Sequence, residues 1–414
     1  MRLLRPRSTV AAATMLAVGF LLPRTARAQG GNAPPEQSLT IRGIFSATLY
    51  AQDALFGLGN GQQAEFVTDE TREWFHGGDV RSTRFGLDYA GPIVFGRWRA
   101  NASTEFDFFG GFNGSSGSFF DEQPNPRLRL AYVDITNGST TIRVGQYWSL
   151  TQGIVPASLS HLGTPLGWGS GGFIGWRFPG IWWQQRLRGA SGGMHTTFTA
   201  AILKNSWTDK TNATVPDVGE AGIPQLEARL DFDGSLAGGG SWKLYTVGHF
   251  DQKDLTGIPD ATSVTPRDKD LLNSWATEIG GQVRASALTV QGNAYFGRAM
   301  GHHFGNIIQF ADIEGWGAWA QAGIDILPHV DVWLFAGTDD PHDADVRAAG
   351  LDRLRSWLTV PMARLHAGPY ALSLEWLHNS TRVDTPGGEV NRTGNQILLT
   401  AQLSFSATVG LSGR

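Results

Sequence analysis

Residues Arg97–Phe108, with the sequence RWRANASTEFDF, carry the pattern that decides the fold. The apolar or small residues occupy every second position: Trp98, Ala100, Ala102, Thr104, Phe106 and Phe108. The polar or charged residues occupy the positions between them: Arg97, Arg99, Asn101, Ser103, Glu105 and Asp107. Successive side chains of a β-strand point to opposite faces. The segment therefore predicts a strand with one apolar and one charged face.

The same alternation recurs along almost the whole chain. It is clear in Gln225–Phe232 and in Gln396–Phe405, where apolar residues fall at i, i+2 and i+4 and helical spacing does not fit. Sixteen such windows can be marked: 40–50, 82–90, 95–109, 126–135, 139–148, 180–189, 195–203, 224–232, 241–250, 274–285, 287–297, 315–326, 329–337, 354–365, 369–378 and 395–405.

The connections between these windows alternate in length. Those that follow odd-numbered windows are long: 51–81, 110–125, 149–179, 204–223, 251–273, 298–314, 338–353 and 379–394. Those that follow even-numbered windows are short, and Asn137-Gly138 is a turn pair in one of them. This is the plan of an outer-membrane barrel, which leaves no backbone edge unpaired in lipid. The sequence therefore predicts an all-β protein, a transmembrane antiparallel β-barrel of about 16 strands over residues 40–405, with long extracellular loops and short periplasmic turns.

Composition excludes several other classes of protein. The chain has 414 residues and no cysteine, so it holds neither a disulfide framework nor a cysteine-ligated metal site. A hydrophobic fraction of 41% and a small net charge exclude disorder. Beyond residue 22 no apolar stretch approaches the roughly 18 residues of a transmembrane helix. A soluble sandwich or propeller is disfavoured, because about half of each strand would have to form its core and no fixed-period repeat is present.

The N-terminus has the features of an export signal. Arg2, Arg5 and Arg7 precede the apolar segment Val10–Leu22, and Ala26-Arg27-Ala28 places small residues before an expected cleavage at Gln29. Residues 1–28 are therefore expected to be a signal peptide and 29–39 a short periplasmic segment. Loss of the five arginines in 1–28 takes the formal net charge from −4 to −9. That acidic balance argues against nucleic acid as a partner.

Arginines recur on the polar face of the early strands. They are Arg42, Arg84, Arg97, Arg99, Arg127, Arg129, Arg143, Arg186, Arg188 and Arg229. A charge on the lipid face costs a few kcal/mol at mid-membrane, so these side chains are expected to line the lumen together with Glu105 and Asp107. Two interpretations stay open. The arginines attract anions along one wall of the pore, or they pair with carboxylates such as Asp88, Glu227 and Asp231 and fill the barrel.

The long connection 149–179 is rich in glycine and aromatic residues. It is the third long loop, and in general porins the third loop folds inward and narrows the channel. Its composition suits a compact segment, so we expect an inward-folding constriction loop in which Gly167, Trp168, Phe173 and Trp176 take part. The alternative is an exposed loop that covers the rim.

Weaker motifs do not indicate an enzyme or a metal site. Gly189–Gly193 matches G-x-S-x-G but lies in a short turn between two strands, where a hydrolase would need a strand, a turn and a helix. Asp339, Asp340, Asp343 and Asp345 with His342 lack the spacing of a calcium loop and are expected to be a solvated loop. The pair His302-His303 is expected to face solvent. No metal and no cofactor are therefore predicted.

Four short stretches in order resemble the DcaP-like porins. They are RSTRFGLDY at 81–89, EFDFFG at 105–110, RLRLAYV at 127–133 and GQYWS at 145–149. The resemblance covers residues 81–149. It implies a homotrimeric outer-membrane channel of Gram-negative-type bacteria for passive uptake of small anions such as dicarboxylates. By position, Arg84, Arg127 and Arg129 are the arginines that would attract the solute. Outer-membrane barrels usually end on an aromatic residue, but this chain continues for nine residues past Phe405. Either Phe405 ends the last strand and 406–414 is a C-terminal tail, or the last strand lies in another register.

The sequence thus predicts a porin, with small anionic solutes, outer-membrane lipid and lipopolysaccharide as partners. A sugar- or phosphate-selective porin of the same fold is the nearest alternative. A barrel enzyme or a barrel adhesin is the alternative from another class, and the lack of a catalytic constellation disfavours the enzyme.

Overall fold

A computed structural model describes residues 37–57, 59, 61–63, 65–110, 124–188, 193–205, 221–254 and 269–411. Within these residues the chain forms one antiparallel sheet. Its strands are β1 Gln37–Phe56, β2 Val67–Asp79, β3 Arg84–Val94, β4 Trp98–Asp107, β5 Arg127–Thr136, β6 Thr140–Trp148, β7 Arg177–Arg188, β8 Met194–Leu203, β9 Ala221–Ser235, β10 Ser241–Asp254, β11 Leu271–Ala285, β12 Leu288–Arg298, β13 Glu314–Leu327, β14 Val330–Pro341, β15 Arg353–Ala367, β16 Tyr370–Thr385 and β17 Gly388–Leu411. In the described part of the chain, helical structure is limited to the 3-10 turns Gly61–Gln63 and Gly301–His303 and to α1 Asp343–Ala348. No helix in the described residues is long and apolar enough to span a membrane.

The sheet closes into a barrel with sixteen strand positions around its circumference. From β3 to β17 each strand pairs with its neighbour in the chain, and β1 closes the ring by pairing with β17 from Gln37↔Leu411 to Gln52↔Gln396. The seventeen strands occupy sixteen positions around the barrel because β2 and β3 lie end to end and share one position. β1 pairs with β3 over its first half and with β2 over its second half. The predicted barrel of about 16 strands is confirmed.

All sixteen sequence windows lie on strands, and the differences occur at the two ends of the barrel. β2 lies in the expected loop 51–81, and 379–394 forms the ends of β16 and β17 around a two-residue turn. Both segments lie at the end of the barrel that carries the long loops. Alternation is absent there because an outer face outside the membrane need not be apolar. At the opposite end, β17 continues past Phe405 to Leu411, so residues 406–411 belong to the wall and not to a tail.

The two faces of the wall have the composition expected of a barrel in lipid. Large apolar side chains such as Leu49, Leu374 and Trp376 are exposed on the outer face, and many inner-face residues beside them, such as Thr48 and Glu375, are polar and buried. The largest cluster of buried apolar side chains lies inside the barrel. There, Trp168 and Phe173 of the segment 149–176 pack against residues of β13–β15 such as Trp319.

Candidate pore constriction

The segment 149–176, between β6 and β7, lies inside the barrel. Glu375 on β16 accepts hydrogen bonds from Ser158 Oγ at 2.7 Å and from the Leu159 amide at 2.9 Å. Gln321 on β13 exchanges two hydrogen bonds, of 2.7 and 2.8 Å, with the backbone of Ala157. Since β13 and β16 flank the side of the ring opposite β6 and β7, the segment crosses the lumen.

The aromatic and glycine residues singled out in this segment pack as a compact turn. Trp168 stacks on Trp176 with ring centroids 4.7 Å apart, and Phe173 is fully buried against Trp319. The carbonyl of Gly167 accepts the amides of Ser170, Gly171 and Phe173. At Gly172 the backbone has φ +81°, and a Cβ there would lie 2.3 Å from the Ala318 backbone nitrogen. Only glycine lets the segment lie this close to β13.

A second connection, 299–313, also lies inside the barrel, which the sequence windows did not indicate. Its apolar residues, including Met300, Ile307 and Ile313, are buried. It contacts the first segment directly: the Gly175 amide donates to the carbonyl of His303 at 2.9 Å, and the ring centroid of Phe304 lies 4.1 Å from that of Trp168. The two inward segments therefore form one packed unit.

Arginine and carboxylate side chains form a network beside this unit. Arg129 is buried, and it donates to Glu105 at 2.9 Å and to Asp107 at 2.7 Å. Arg127 donates to Asp107 at 2.7 Å, and Arg42 donates to Glu105 at 2.7 Å. Register explains the contacts, because Asp107 on β4 pairs directly with Arg127 on β5. The side chains of Glu105 and Asp107 lie on the inner face, as the alternation of 97–108 predicts.

Two more arginines complete the network. Arg84 on β3 is buried, lies 3.6 Å from Glu105 and donates to the carbonyl of Leu162 in the inward segment at 2.7 Å. Arg177 at the start of β7 is buried between the rings of Trp148 and Trp176, at 4.8 and 4.1 Å from their centroids. These rings also contact Arg129 and Arg127, at 5.6 and 5.5 Å.

The network carries an excess of positive charge. Its cations are Arg42, Arg84, Arg127, Arg129 and Arg177, and its carboxylates are Asp88, Glu105 and Asp107. Five cations against three carboxylates leave a charge of +2. Among the described residues no carboxylate pairs with Arg177, and its Nη1 atom has no hydrogen-bond partner. We call these eight side chains the arginine cluster.

A small cavity lies between the cluster and the inward segment. Arg84, Arg129, Gln152, Ser158 and His161 line it, and its volume is about 20 Å³. That is room for little more than one water molecule. Charged and polar side chains therefore line the space between the cluster and the inward segment.

The other arginines selected from the sequence do not join this cluster. Arg97 lies in the exposed turn between β3 and β4, so its placement on a strand face is wrong. Arg99 donates to the carbonyl of Gly91 at 2.7 Å, and Arg143 pairs with Asp134 and lies over Tyr132 and Tyr147. Arg186 is exposed toward the short-turn end, and the side chain of Arg188 lies outside the described residues. The selected arginines whose side chains are described do not form a single contiguous wall.

Arg177 is the functional candidate that the alternation could not select. It has the same parity as Ile181 and Trp183, which are exposed on the outer face, and by period two it would point to lipid. It is buried instead because it is the first residue of β7, directly after the inward segment, and its side chain lies between Trp148 and Trp176. The one feature of the sequence that pointed to its burial was the adjacent Trp176, which belongs to the aromatic-rich inward segment.

The weaker motifs have mixed outcomes. The expectation that His302-His303 faces solvent is wrong, because both side chains are buried inside the barrel. Burial, with the nearby His249 and Lys253, lowers the pKa of His303 well below its usual range. The acidic residues 339–345 do not converge, because they have separate partners: Asp339 accepts from the Tyr295 hydroxyl, Asp340 pairs with Arg355 and Asp343 pairs with Arg382.

Comparison with solved structures finds the same fold in outer-membrane proteins. The outer membrane channel DcaP of Acinetobacter baumannii superposes with a TM-score of 0.65 at 16% identity, over 89% of this chain and 97% of that one. The barrel has the fold of the DcaP-like porins. OmpT, an outer membrane protein of Vibrio cholerae, superposes with a TM-score of 0.53 at 10% identity, over 91% of this chain and 100% of that one. Pseudomonas putida OprB gives 0.50 at 11% identity, over 88% and 94%.

No family model matches the chain, and no curated protein matches it. At these identities the structural likeness concerns the fold alone. The resemblance to DcaP-like porins that the sequence stretches indicated is confirmed at that level.

Proposed function

We propose that this protein is an outer-membrane diffusion channel that selects small anions at the arginine cluster. The observation that carries the proposal is the uncompensated charge of +2, which lies inside the barrel beside the segment 149–176 that crosses the lumen. Charges that line a narrow, low-dielectric passage are focused. The excess acidic residues elsewhere in the chain are screened over about 8 Å at physiological salt. The local charge should therefore decide the selectivity.

Pairing limits which arginines can act on a solute. Arg129 is held on two carboxylates, so its guanidinium is a structural counter-charge. Arg127 is 22% exposed and reaches water, and the field of Arg177 adds to it because no carboxylate among the described residues cancels it. Both interpretations of the arginines are thus supported, each for different residues.

Carboxylates are the solute class that guanidinium groups bind best, in bidentate geometry. The preference for dicarboxylates comes from the family resemblance and belongs to this proposal. A sugar-selective channel needs free aromatic faces for stacking. Here the faces of Trp148 and Trp176 are covered by Arg177, and Trp148 is buried, which disfavours that alternative.

The test is the reversal potential of the purified protein in a planar bilayer under a salt gradient. Wild type should be anion-selective, and Arg127→Gln with Arg177→Gln, which removes the excess of +2, should shift the reversal potential toward that of a non-selective pore. Arg186→Gln, at an exposed position away from the cluster, is the matched control and should change little. Cation selectivity of wild type, or an unchanged potential in the double variant, would contradict the proposal. Succinate added to one side should reduce chloride current if dicarboxylates bind.

Export and assembly are part of the same proposal. Residues 1–28 lie outside the described residues, and N-terminal sequencing of the outer-membrane protein should begin at Gln29.

A homotrimer is supported by one structural neighbour, OmpT of V. cholerae, whose structure is described as a trimer form (TM-score 0.52, 9% identity). The outer face near the barrel closure also carries packed rings of Phe45, Phe85, Phe106 and Phe405, an apolar patch that a second copy could cover. Light scattering in detergent should give three copies per particle.

A further inference from the structure

Two histidines and a glutamate converge where β9, β10 and the inward connection 299–313 meet. Glu227 lies on β9, His249 on β10 and His303 at the end of the 3-10 turn, and each is less than 5% exposed. His249 Nδ1 lies 3.1 Å from Glu227 Oε1, and His303 Nε2 lies 3.8 Å from the same oxygen. One donor atom from each of the three residues lies within 4.8 Å of the other two.

The remaining polar atom of each residue has an orienting partner. The second carboxylate oxygen of the glutamate accepts the Leu150 amide. His303 Nδ1 lies 2.9 Å from Thr151 Oγ1, and His249 Nε2 lies 3.7 Å from Asp251 Oδ2. Metal-binding histidines almost always hold their second nitrogen on a carboxylate, hydroxyl or carbonyl in this way. Asp251 Oδ2 is buried, and no described residue forms a hydrogen bond with it.

We propose that Glu227, His249 and His303 form a binding site for a divalent transition-metal ion of the zinc type. Zinc bonds of about 2.0–2.1 Å in a tetrahedral site place ligand atoms about 3.3 Å apart. The two shortest separations here, 3.1 and 3.8 Å, are close to that value. The third must close by at most about 1.5 Å, a shift within the reach of side-chain rotation. Gln225 Oε1, 2.6 Å from His303 Nε2, is positioned to supply or support the fourth ligand.

Such an ion would join four separate parts of the chain. Two ligands come from neighbouring strands of the wall, and the third comes from the connection 299–313. The carbonyl of His303 accepts the Gly175 amide, and Thr151 contacts its ring, so the segment 149–176 would be fixed as well. The metal would therefore hold both inward segments against the wall. This inference does not depend on the charge of the permeating solute.

The competing possibility is a network of hydrogen bonds without metal. In that case His249 Nδ1–H donates to Glu227, and His303 Nε2–H donates to the Gln225 amide oxygen at 2.6 Å. This arrangement satisfies both rings but leaves Asp251 Oδ2 without a hydrogen bond from the described residues. The two possibilities differ in whether the folded protein retains a metal ion.

The experiment uses the full mature chain refolded into detergent with Co²⁺, because the site is buried and should load during folding. After desalting, bound cobalt is measured by elemental analysis and by the visible absorption of four-coordinate Co²⁺. Wild type should retain one equivalent per chain, displaced by Zn²⁺. His303→Asn and Glu227→Gln should each lower the apparent affinity at least about tenfold. His302→Asn, the adjacent buried histidine outside the cluster, is the matched control and should bind as wild type does.

Absence of retained cobalt in refolded wild type would overturn the proposal. The proposal would also be overturned if the His302→Asn and His303→Asn variants retained equal amounts of cobalt, because the cobalt would then be bound by other histidines on the surface. Glu227→Gln preserves side-chain volume if His303→Asn fails to fold, and the wild-type spectrum is decisive on its own. Since selectivity and metal retention are read separately, failure of one proposal leaves the other standing.

Discussion

Arg129 Nη1 and Asp107 Oδ2 lie 2.7 Å apart, and both side chains are shielded from water, with exposed fractions of 2% and 0%. A buried pair of this kind is favourable only when further hydrogen bonds satisfy both groups. Asp107 has Arg127 as a second partner, and Arg129 has Glu105. The pair therefore holds β4 and β5 together. Replacing one of its two residues leaves the other charge buried with fewer partners.

We expect Arg129→Ala to lower the free energy of unfolding by about 3 kcal/mol. This is the lower end of the cost of breaking a buried ion pair, because Arg127 and Arg42 still contact the two carboxylates. Urea unfolding of the detergent-solubilised barrel, followed by the shift in electrophoretic mobility, measures the change. Arg186→Ala, at an exposed position, should stay within about 0.5 kcal/mol of wild type. Equal effects of the two substitutions would contradict the structural role.

We expect Glu375→Ala to loosen the segment 149–176 and to raise single-channel conductance. The carboxylate accepts hydrogen bonds from Ser158 Oγ and from the amides of Leu159 and Ser160, and their loss frees the middle of the segment from β16. Single-channel recording should show larger and more variable current steps. Asp233→Ala, at a solvated position of β9 beside His195, is the control. An unchanged conductance for Glu375→Ala would mean that the segment does not limit the flow of ions.

We expect Gly172→Ala to displace the inward segment from β13. Its backbone has φ +81°, and the added Cβ would lie 2.3 Å from the Ala318 nitrogen, which cannot move without breaking the sheet. Gly138→Ala is a matched control, since its φ is +92° but no atom lies within 4 Å of the added Cβ. Both variants carry the strain of a positive φ, and only Gly172→Ala carries the clash. Higher conductance and faster proteolysis should therefore appear in Gly172→Ala alone.

The sequence was sufficient for the wall and insufficient for what lies inside it. The alternation of polar and apolar residues places Glu105, Asp107 and Arg129 on the inner face, because each strand of the barrel has lipid on one side only. Arg177 and His303 were missed for a common reason. Each lies where an inward segment meets the wall, and burial there comes from contacts between distant parts of the chain. The periodicity of a local stretch of sequence holds no information on those contacts. For the same reason the pair His302-His303 was predicted to face solvent.

The last prediction concerns Glu65, which lies between β1 and β2 and is 1% exposed. Burial raises the pKa of this carboxyl well above its usual range, partly opposed by the Thr164 hydroxyl. The folded state therefore binds a proton more tightly than the unfolded state. Stability from this group is complete below the unfolded pKa of about 4.3 and is lost as pH rises through the folded value.

Glu65→Gln removes the titration and keeps the volume of the protonated carboxyl. The variant should match wild type near pH 4 and become more stable than wild type as pH rises, by at most about 1.4 kcal/mol per pH unit until the folded group ionises. Thermal unfolding in detergent from pH 4 to about pH 9 gives the difference curve. Glu73→Gln, at an exposed position of β2, controls for the loss of a negative charge and should give a flat curve. A flat curve for Glu65→Gln as well would show that water reaches this carboxyl. The turn Gly61–Gln63, which precedes Glu65, would then be less tightly closed over the barrel than the burial of Gln62 and Glu65 indicates.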